Sequence, residues 1–334
     1  MDLDNYGSCL REIRPYLAKP ICSESRFQRI LEMAELFPPI WFGMLELHLY
    51  DFDNDPNVDL GIMLSNQAGV VDRYLDESHH HQPVQLRDSP PWKEVQTFLK
   101  LYQTPSYFLS SFVDRCWLAF DLGPNRQAIP WLYAGMTIGN YLPGMKPKIY
   151  KMVFQALGHE ITPSEKNELI TLEEHLPSGC RIHSLGNAKY RDEGRARLCI
   201  YSFNNRETLF LYLEKINRLG NFPIEDHQLD FLFSHAQYCM LGLGLKSDNG
   251  RKITLEFGLR EENHKEISSE VFRFLIQEKM LDPGILEHVL AWLQPGGNGI
   301  KRKINHVKLT LEGASKVKVK AYFAFFNDSL LNAQ

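Results

Sequence analysis

Five pairs of short segments with alternating apolar and polar residues recur along the chain, and stretches of helical periodicity separate them. The pairs cover residues 41–50 with 58–64, 107–122 with 129–138, 180–188 with 195–203, 239–247 with 251–260, and 304–313 with 316–326. A period of two is typical of strands with one buried face, and Asp248-Asn249-Gly250 in the fourth pair is a strong signal for a tight hairpin turn. The recurrence therefore predicts five β-hairpins built as repeated units.

Helical periodicity fills the intervals between these hairpins. Helices are predicted over residues 92–103, 147–157, 163–176, 206–219, 225–237, 268–281 and 283–293. Thr162 and Glu165 flank Pro163 in the order of an N-cap and a capping-box acid, which indicates a helix that begins at this proline. Ser268 and Asp282 are the predicted N-caps of the last two helices.

Each predicted hairpin has one apolar face and one polar, aromatic face. The apolar faces include Leu45, Leu118, Leu198, Leu255 and Leu309, and we expect the amphipathic helices to cover them. An open sheet of ten antiparallel strands twists strongly and exposes two edges, whereas closure removes both edges. A barrel of ten strands is wider than the eight-stranded barrel that side chains alone can fill. The sequence therefore predicts an α/β (more strictly α+β) fold: a ten-stranded barrel with a polar central chamber and an outer ring of helices.

The composition is that of an ordinary globular protein. Of the 334 residues, 44% are hydrophobic and 23% are charged, which argues against a mainly disordered chain or a coiled coil. The formal net charge is −4, so no global charge favours nucleic acid or an anionic membrane as partner. Because no low-complexity linker divides the repeats, we expect one domain over 1–334, with a helical segment over 1–38 and the barrel repeats over about 40–326.

Six cysteines are present without a CxxC pair, which argues against a zinc finger or a thioredoxin-type site. The chain begins without a basic segment followed by an apolar one, and no window has about 18 apolar residues free of charge. These features predict a protein without a membrane span in a reducing, cytoplasmic setting.

The order of elements resembles the ABBA prenyltransferases, the PT-barrel enzymes, in which five αββα units surround a polar ten-stranded barrel. The resemblance covers roughly residues 40–326. It extends to the strand RARLCIYSF, where a basic residue precedes a tyrosine, and to VKVKAYFAFF at the end of the chain. The length is similar to that of the bacterial small-molecule and cyanobactin-peptide members. The resemblance implies a prenyl diphosphate donor and an aromatic acceptor, which is either a small phenol or indole or an aromatic side chain of a natural-product peptide.

Basic side chains on the polar strand faces are the candidates for binding the donor diphosphate. Lysine and arginine hold phosphate oxygens by charge-assisted hydrogen bonds. The candidates are Arg115, Arg197, Lys246, His306, Lys308, Lys318 and Lys320. We expect Lys308, Lys320 and Arg197 to converge on one diphosphate and to repel one another when no anion is bound. The alternative interpretation of these lysines is a solvated face that protects an edge hairpin from aggregation.

Aromatic and acidic residues complete the predicted site. Ionisation of the donor creates an allyl cation, which tyrosine and tryptophan rings stabilise and shield from water. The aromatic candidates are Tyr50, Trp117, Tyr133, Tyr201 and Tyr322, although ordinary packing explains such residues almost as well. Glu46 is the first candidate for the group that orients or deprotonates the acceptor, and Glu256 and Asp121 are the alternatives. Gly242, Gly244, Gly258 and Ala324 are expected to leave room for a longer prenyl chain.

No metal site is predicted. Residues 51–59 resemble the start of an EF-hand, but the pattern requires a glycine where Pro56 stands and a glutamate where Ile62 stands. His79, His80 and His81 have no convergent carboxylate in the sequence. Whether magnesium accompanies the diphosphate is left open by the sequence. The alternative function is a non-catalytic barrel that binds an anionic ligand or a peptide.

Overall fold

The computed structural model describes residues 5–39, 41–50, 56–65, 70–75, 88–104, 107–122, 129–137, 145–190, 195–220, 222–245, 252–295, 300–312 and 317–327. The ten strands of this part of the chain are β1 (Phe42–His48), β2 (Val58–Ser65), β3 (Val113–Phe120), β4 (Pro130–Met136), β5 (Arg181–Ala188), β6 (Arg195–Phe203), β7 (Ala236–Gly244), β8 (Lys252–Leu259), β9 (Ile300–Glu312) and β10 (Lys318–Asn327). Each strand pairs antiparallel with its neighbours in the chain, and β1 pairs with β10, so the sheet is a closed barrel. The predicted fold class is confirmed.

Helices connect the hairpins and precede the first one. The described residues contain α1 (Tyr6–Ile13), α2 (Glu24–Ala34), α3 (Val70–Leu75), α4 (Pro90–Gln103), α5 (Leu109–Phe112), α6 (Lys146–Ala156), α7 (Pro163–Glu174), α8 (Arg206–Lys215), α9 (Asp226–His235), α10 (His264–Gln277) and α11 (Ile285–Trp292), with a 3₁₀ turn over Arg14–Tyr16. No helix among these residues is both long and apolar enough to cross a membrane.

The main core lies between the barrel and its helices. Leu45, Leu118, Leu198, Leu255 and Leu309 are fully buried there, as predicted from the alternation of the strands. The same core contains side chains from the helices, such as Phe98 of α4 and Phe154 of α6. Because burial of one leucine contributes roughly 1.5–3 kcal/mol, these contacts fix which face of every strand points outward. The polar faces are thereby turned to the interior.

Helix starts were predicted with mixed success. Thr162 caps α7 as expected: its Oγ1 accepts from the Glu165 backbone N–H, and the Glu165 carboxylate accepts from the Thr162 N–H at 2.8 Å. Ser268 is not an N-cap, because α10 begins at His264 and Ser268 is buried within it. Asp282 is not the N-cap of α11 either; its carboxylate accepts from the Gly284 N–H at 2.7 Å in the turn before the helix. In both cases a polar residue near the helix start has the chemistry of an N-cap, but the helix begins at a different residue.

The starts of three strands, β3, β7 and β9, differ from the prediction by at least three residues. β7 begins at Ala236, inside the helix predicted over 225–237, so Tyr238 belongs to a strand. β9 begins at Ile300 rather than at residue 304. β3 is shorter than predicted, because the helix α5 precedes it.

The barrel has two distinct ends. The connections β1–β2, β3–β4, β5–β6, β7–β8 and β9–β10 all lie at one end, which we call the turn end, because consecutive strands run antiparallel. The helical connections lie at the opposite end, which we call the helix end. A residue's place along its strand therefore gives its approximate depth between the two ends.

Candidate active site

A chamber of about 620 Å³ occupies the interior of the barrel. Its volume falls in the range of sites that enclose small organic ligands. A second pocket, of about 440 Å³, lies outside the barrel between α4 and α6 and contains none of the predicted site residues. The chamber is therefore the candidate site.

The chamber brings together most of the predicted site. Its lining includes the predicted residues Glu46, Tyr50, Arg115, Trp117, Tyr133, Arg197, Tyr201, Glu256, His306, Lys308, Lys318, Lys320 and Tyr322. Asp121 is not part of this lining, because β3 ends at Phe120 and Asp121 lies beyond it towards the turn. Lys246 lies outside the described residues, and so do the histidines at 79–81 and residues 51–55 of the acidic segment.

The chamber carries an excess of positive charge. Among the described residues, its lining contains seven lysines and arginines but only three carboxylates. The three carboxylates are Glu46, Asp59 and Glu256. The whole chain has a formal charge of −4, so positive charge is concentrated in the interior. A wall of this kind favours an anionic ligand.

Four residues form a buried layer of alternating charges that we call the inner ion-pair network: Glu46, Glu256, Lys308 and Lys320. Lys320 Nζ lies 2.7 Å from Glu46 Oε1, and Lys308 Nζ lies 3.1 Å from Glu256 Oε1. Lys308 Nζ is also 3.9 Å from Glu46 Oε1. The register explains these contacts, since β10 lies between β1 and β9, and β9 lies between β8 and β10.

The inner ion-pair network adds to one expectation from the sequence. Lys308 repels Lys320, and Arg197 repels Lys308, as expected. Carboxylates on β1 and β8 partner both lysines, however, so the positive charges are already compensated before an anion binds. Arg197 also faces this region, and its charge acts on the titration of Lys308. Removal of one lysine therefore leaves a buried carboxylate without its partner, which is strongly destabilising.

The charges of the network shift the pKa values of its members. Burial opposes ionisation of Glu46, but Lys320, Lys308 and His48 hold the pKa of Glu46 well below its usual range. Burial likewise opposes ionisation of Glu256, yet Lys308 and His306 lower its pKa to about 2. Burial lowers the pKa of Lys320, whereas the two glutamates outweigh burial at Lys308 and raise its pKa. Both carboxylates are thus ionised at neutral pH.

Tyr322 and His306 extend the network along β9 and β10. Lys308 Nζ donates to the Tyr322 hydroxyl at 3.0 Å, and the His306 ring is stacked on the Tyr322 ring with centroids 3.8 Å apart. His306 Nε2 lies 3.3 Å from Glu256 Oε2. These contacts hold Lys308 in one position, with its ammonium group aimed into the chamber.

The turn end carries a second, more exposed set of contacts. The Tyr50 hydroxyl lies 3.2 Å from His48 Nδ1, and Lys318 Nζ lies 5.9 Å from the centroid of the Tyr50 ring. Lys318 also lies 3.3 Å from Glu312, in a pair whose side chains are each 45% exposed. Lys318 is therefore a residue of the chamber mouth, unlike the buried Lys320.

Glu46, His48 and Asp59 present three ligand atoms within 4.8 Å of one another, a set with suitable chemistry for a metal ion. Asp59 was not among the predicted site residues, although it lies opposite Glu46 in the register of β1 and β2. Lys320 Nζ lies 2.7 Å from Glu46 Oε1 and 2.9 Å from His48 Nε2. Because an ammonium group already lies against two of the three ligands, the cluster fits a lysine better than a resident divalent cation.

Aromatic side chains line the part of the chamber towards the helix end. The rings of Tyr201 and Tyr238 lie 4.8 Å apart, and the His183 ring lies 5.4 Å from Tyr201. Trp117 contacts Phe42 edge-on at 5.3 Å. Tyr238 was not predicted, because the predicted helix covered the start of β7. His183 and Arg181 were not predicted either, because the bulge between Ile182 and Ser184 reverses the alternation of β5 at this point.

Glycines on neighbouring strands let two tyrosine rings lie flat against the barrel wall. A Cβ atom at Gly186 would lie 2.4 Å from the Tyr133 ring, and one at Gly258 would lie 2.1 Å from the Tyr238 ring. Gly258 therefore accommodates a tyrosine rather than a longer prenyl chain. At Gly244, by contrast, an added Cβ meets nothing within 4 Å, so this glycine leaves open space.

Comparisons with known proteins identify the fold. No protein-family model matches the chain, and no curated protein matches it by sequence. The prenyltransferase PriB in its apo form is similar in structure, with a TM-score of 0.59, 12% identity and coverage of 98% of this chain and 97% of PriB. The 6-dimethylallyltryptophan synthase from Micromonospora olivasterospora, in complex with DMASPP and Trp, gives a TM-score of 0.59 at 12% identity over 98% of both chains.

A third protein of known structure is similar over a smaller part of its length. AnaPT from Neosartorya fischeri has a TM-score of 0.55 and 13% identity, and the match covers 89% of this chain and 85% of AnaPT. The closed barrel of ten antiparallel strands, the helices around it and these similarities lead to one conclusion: the chain has the PT-barrel fold of the aromatic prenyltransferases.

Proposed function

We propose that the protein is an aromatic prenyltransferase, which moves a dimethylallyl or geranyl group from its diphosphate to an aromatic acceptor. One observation carries the proposal: a chamber rich in lysine, arginine and aromatic rings lies inside a barrel of the same fold as known prenyltransferases. A ligand with an anionic end and an apolar end suits such a chamber. A prenyl diphosphate has both.

The donor diphosphate binds to Lys308, Lys320 and Arg197 in this proposal. All three line the chamber, and their positions along β9, β10 and β6 lie towards the turn end. Each lysine is held by a glutamate before the donor arrives, so the diphosphate shares the two ammonium groups with these carboxylates. Lys318 and Arg115 contribute less to donor binding in this proposal. Lys318 lies at the chamber mouth, where it pairs with Glu312, and Arg115 lies near the helix end, where it pairs with Asp114 at 2.7 Å.

The prenyl group extends into the aromatic part of the chamber. There, the rings of Tyr133, Tyr201, Tyr322 and Trp117 stabilise the allyl cation by roughly 0.5–2 kcal/mol each and exclude water from it. Burial raises the pKa of Tyr133 to about 12 and that of Tyr322 well above its usual value, so both phenols keep their protons. Neutral phenols do not react with the cation as phenolates would.

Glu46 orients the acceptor by accepting a hydrogen bond from its N–H or O–H group. Glu46 lies on β1, and its ionised state is secured by Lys320 and Lys308. Glu256 is the alternative acid; Lys308 Nζ lies 3.1 Å from its Oε1 and His306 Nε2 lies 3.3 Å from its Oε2.

The acceptor is an indole or a phenol, free or as an aromatic side chain of a natural-product (RiPP) peptide. Several similar structures are described as dimethylallyltryptophan synthases, which supports an indole as the first acceptor to test. The cytoplasm is the proposed location, because all six cysteines are free thiols, as expected in a reducing compartment.

The test is incubation of the protein with a panel of prenyl diphosphates and aromatic acceptors, followed by mass spectrometry. We expect an acceptor whose mass increases by one prenyl group. Thermal stabilisation by the prenyl diphosphates without any product would instead support a non-catalytic binding barrel. The absence of both product and stabilisation would exclude a prenyl diphosphate as the ligand.

A further inference from the structure

His183 is a histidine of the chamber wall that lies outside the inner ion-pair network. It stands on β5 and is the extra residue of the bulge between Ile182 and Ser184. Its Nδ1 atom is buried and has no hydrogen-bond partner among the described residues. Because no partner fixes the tautomer, the nitrogen that faces the chamber can be the unprotonated one.

The surroundings of His183 keep the imidazole neutral. Burial lowers the pKa of His183, and so do the guanidinium groups of Arg115 and Arg181. Asp114 and Glu256 raise it by less, and the resulting pKa is about 4. The Tyr201 ring contacts His183 at 5.4 Å, and the Arg181 guanidinium lies 5.3 Å from the Tyr201 centroid. At neutral pH the chamber therefore contains an uncharged base among aromatic rings.

His183 and Glu46 face each other across the barrel. Four strand-to-strand steps separate β1 from β5 in one direction and six in the other, so these strands lie on nearly opposite walls. An aromatic ring that donates its N–H or O–H to Glu46 presents its far edge to the wall that carries His183. Lys320 and Lys308 hold Glu46, so its carboxylate is engaged where the donor binds.

We propose that His183 is the base that removes the ring proton from the prenylated acceptor, an inference that rests on the proposed prenyltransferase function. The C1–O bond of the donor breaks and its electron pair leaves with the diphosphate. The aromatic carbon then forms a bond to C1 and becomes tetrahedral. Its C–H bond breaks, the electron pair restores the aromatic ring, and the proton moves to the unprotonated nitrogen of His183. Repulsion by Arg115 and Arg181 returns this proton to water.

The experiment uses the acceptor found in the panel assay, deuterated at its ring carbons, with dimethylallyl diphosphate as donor. We compare the wild-type protein with His183→Ala and His183→Asn. For His183→Ala we expect a fall in the rate of product formation by about 10²-fold, the lower range for a positioned base. We also expect the deuterium isotope effect to rise clearly above that of the wild type, because proton removal becomes rate-limiting. Added imidazole should restore part of the rate, since the substitution leaves a cavity for it.

His175→Ala is the matched control. The buried Nδ1 of His175 likewise has no partner in the part of the chain that the structure describes, but His175 follows α7 and is not part of the chamber lining. The inference is overturned if His183→Ala and His183→Asn keep the isotope effect of His175→Ala and do not respond to imidazole. If His183→Ala loses activity because it does not fold, added imidazole will not restore the rate. The isotope effect of His183→Asn, which is closer in size to the wild type, then tests the inference. Failure of the proposed function is distinguishable, because the wild-type protein itself would form no product.

Discussion

Removal of Lys308 should destabilise the fold, because this ammonium group is the centre of the inner ion-pair network. Lys308 Nζ lies 3.1 Å from Glu256, 3.9 Å from Glu46 and 3.0 Å from the Tyr322 hydroxyl. At an effective dielectric constant of about 20, the two charge pairs contribute gross attractions of about 5 and about 4 kcal/mol. Desolvation of the lysine and repulsion by Lys320 and Arg197 oppose them.

The net effect follows from what the substitution leaves behind. In Lys308→Met, the buried Glu256 loses its partner in the network, and among the described residues it keeps the contact with His306 at 3.3 Å. Breaking a buried ion pair in this way costs about 3–5 kcal/mol of unfolding free energy. Urea denaturation at pH 7, followed by circular dichroism, measures the loss.

Two further variants make this experiment decisive. Lys318→Met removes a lysine whose pair with Glu312 is 45% exposed, so it should change the unfolding free energy by no more than about 1 kcal/mol. The double variant Lys308→Met/Glu256→Gln removes both charges and should recover a large part of the stability. Our reasoning is refuted if Lys308→Met is as stable as Lys318→Met, or if the double variant is less stable than the single one.

Three further predictions concern binding, transfer and pH. Lys320→Ala and Arg197→Ala should weaken binding of dimethylallyl diphosphate by calorimetry, and unchanged affinity in both would contradict the donor site. Glu46→Gln should lower product formation by roughly 10²- to 10⁴-fold. The Glu46→Gln variant should bind inorganic diphosphate at least as tightly as the wild type, because the substitution removes a carboxylate that competes for Lys320. Stability should fall as the pH drops from about 4.5 towards 2, because Glu256 binds its proton more readily in the unfolded chain than at its folded pKa of about 2. Urea titrations over this range should show a smaller loss for Glu256→Gln.

The fold could be predicted because one physical rule sets it. Strands that bury one face must alternate, and Leu45, Leu198 and Leu309 follow this alternation without exception. The same rule also predicted most of the chamber residues, because the odd or even position of a residue along its strand, its parity, decides whether its side chain points inward. Glu46 and Lys320 are 274 residues apart, however, and they meet only because β1 and β10 close the barrel. Parity gives the face of a residue but not its neighbour across the closing seam.

The remaining errors have local causes. Asp121 has the inward parity of Trp117, but the strand ends one residue before it, so parity no longer fixes its direction. His183 is the extra residue of a bulge in β5, and Tyr238 directly follows a bulge in β7; each bulge shifts the register of its strand. Bulges of this kind often occur beside active sites, and alternation alone does not reveal them.

The ratio of diphosphate released to acceptor prenylated tests the central claim most directly. The protein is incubated with dimethylallyl diphosphate with and without the aromatic acceptor, and both products are counted in the same samples. We predict one diphosphate for each prenylated acceptor, and a much smaller release when the acceptor is omitted, because the aromatic wall excludes water. Arg197→Ala should lower both products together. Release of diphosphate that is independent of the acceptor, with the acceptor left unchanged, would contradict a transferase in this chamber.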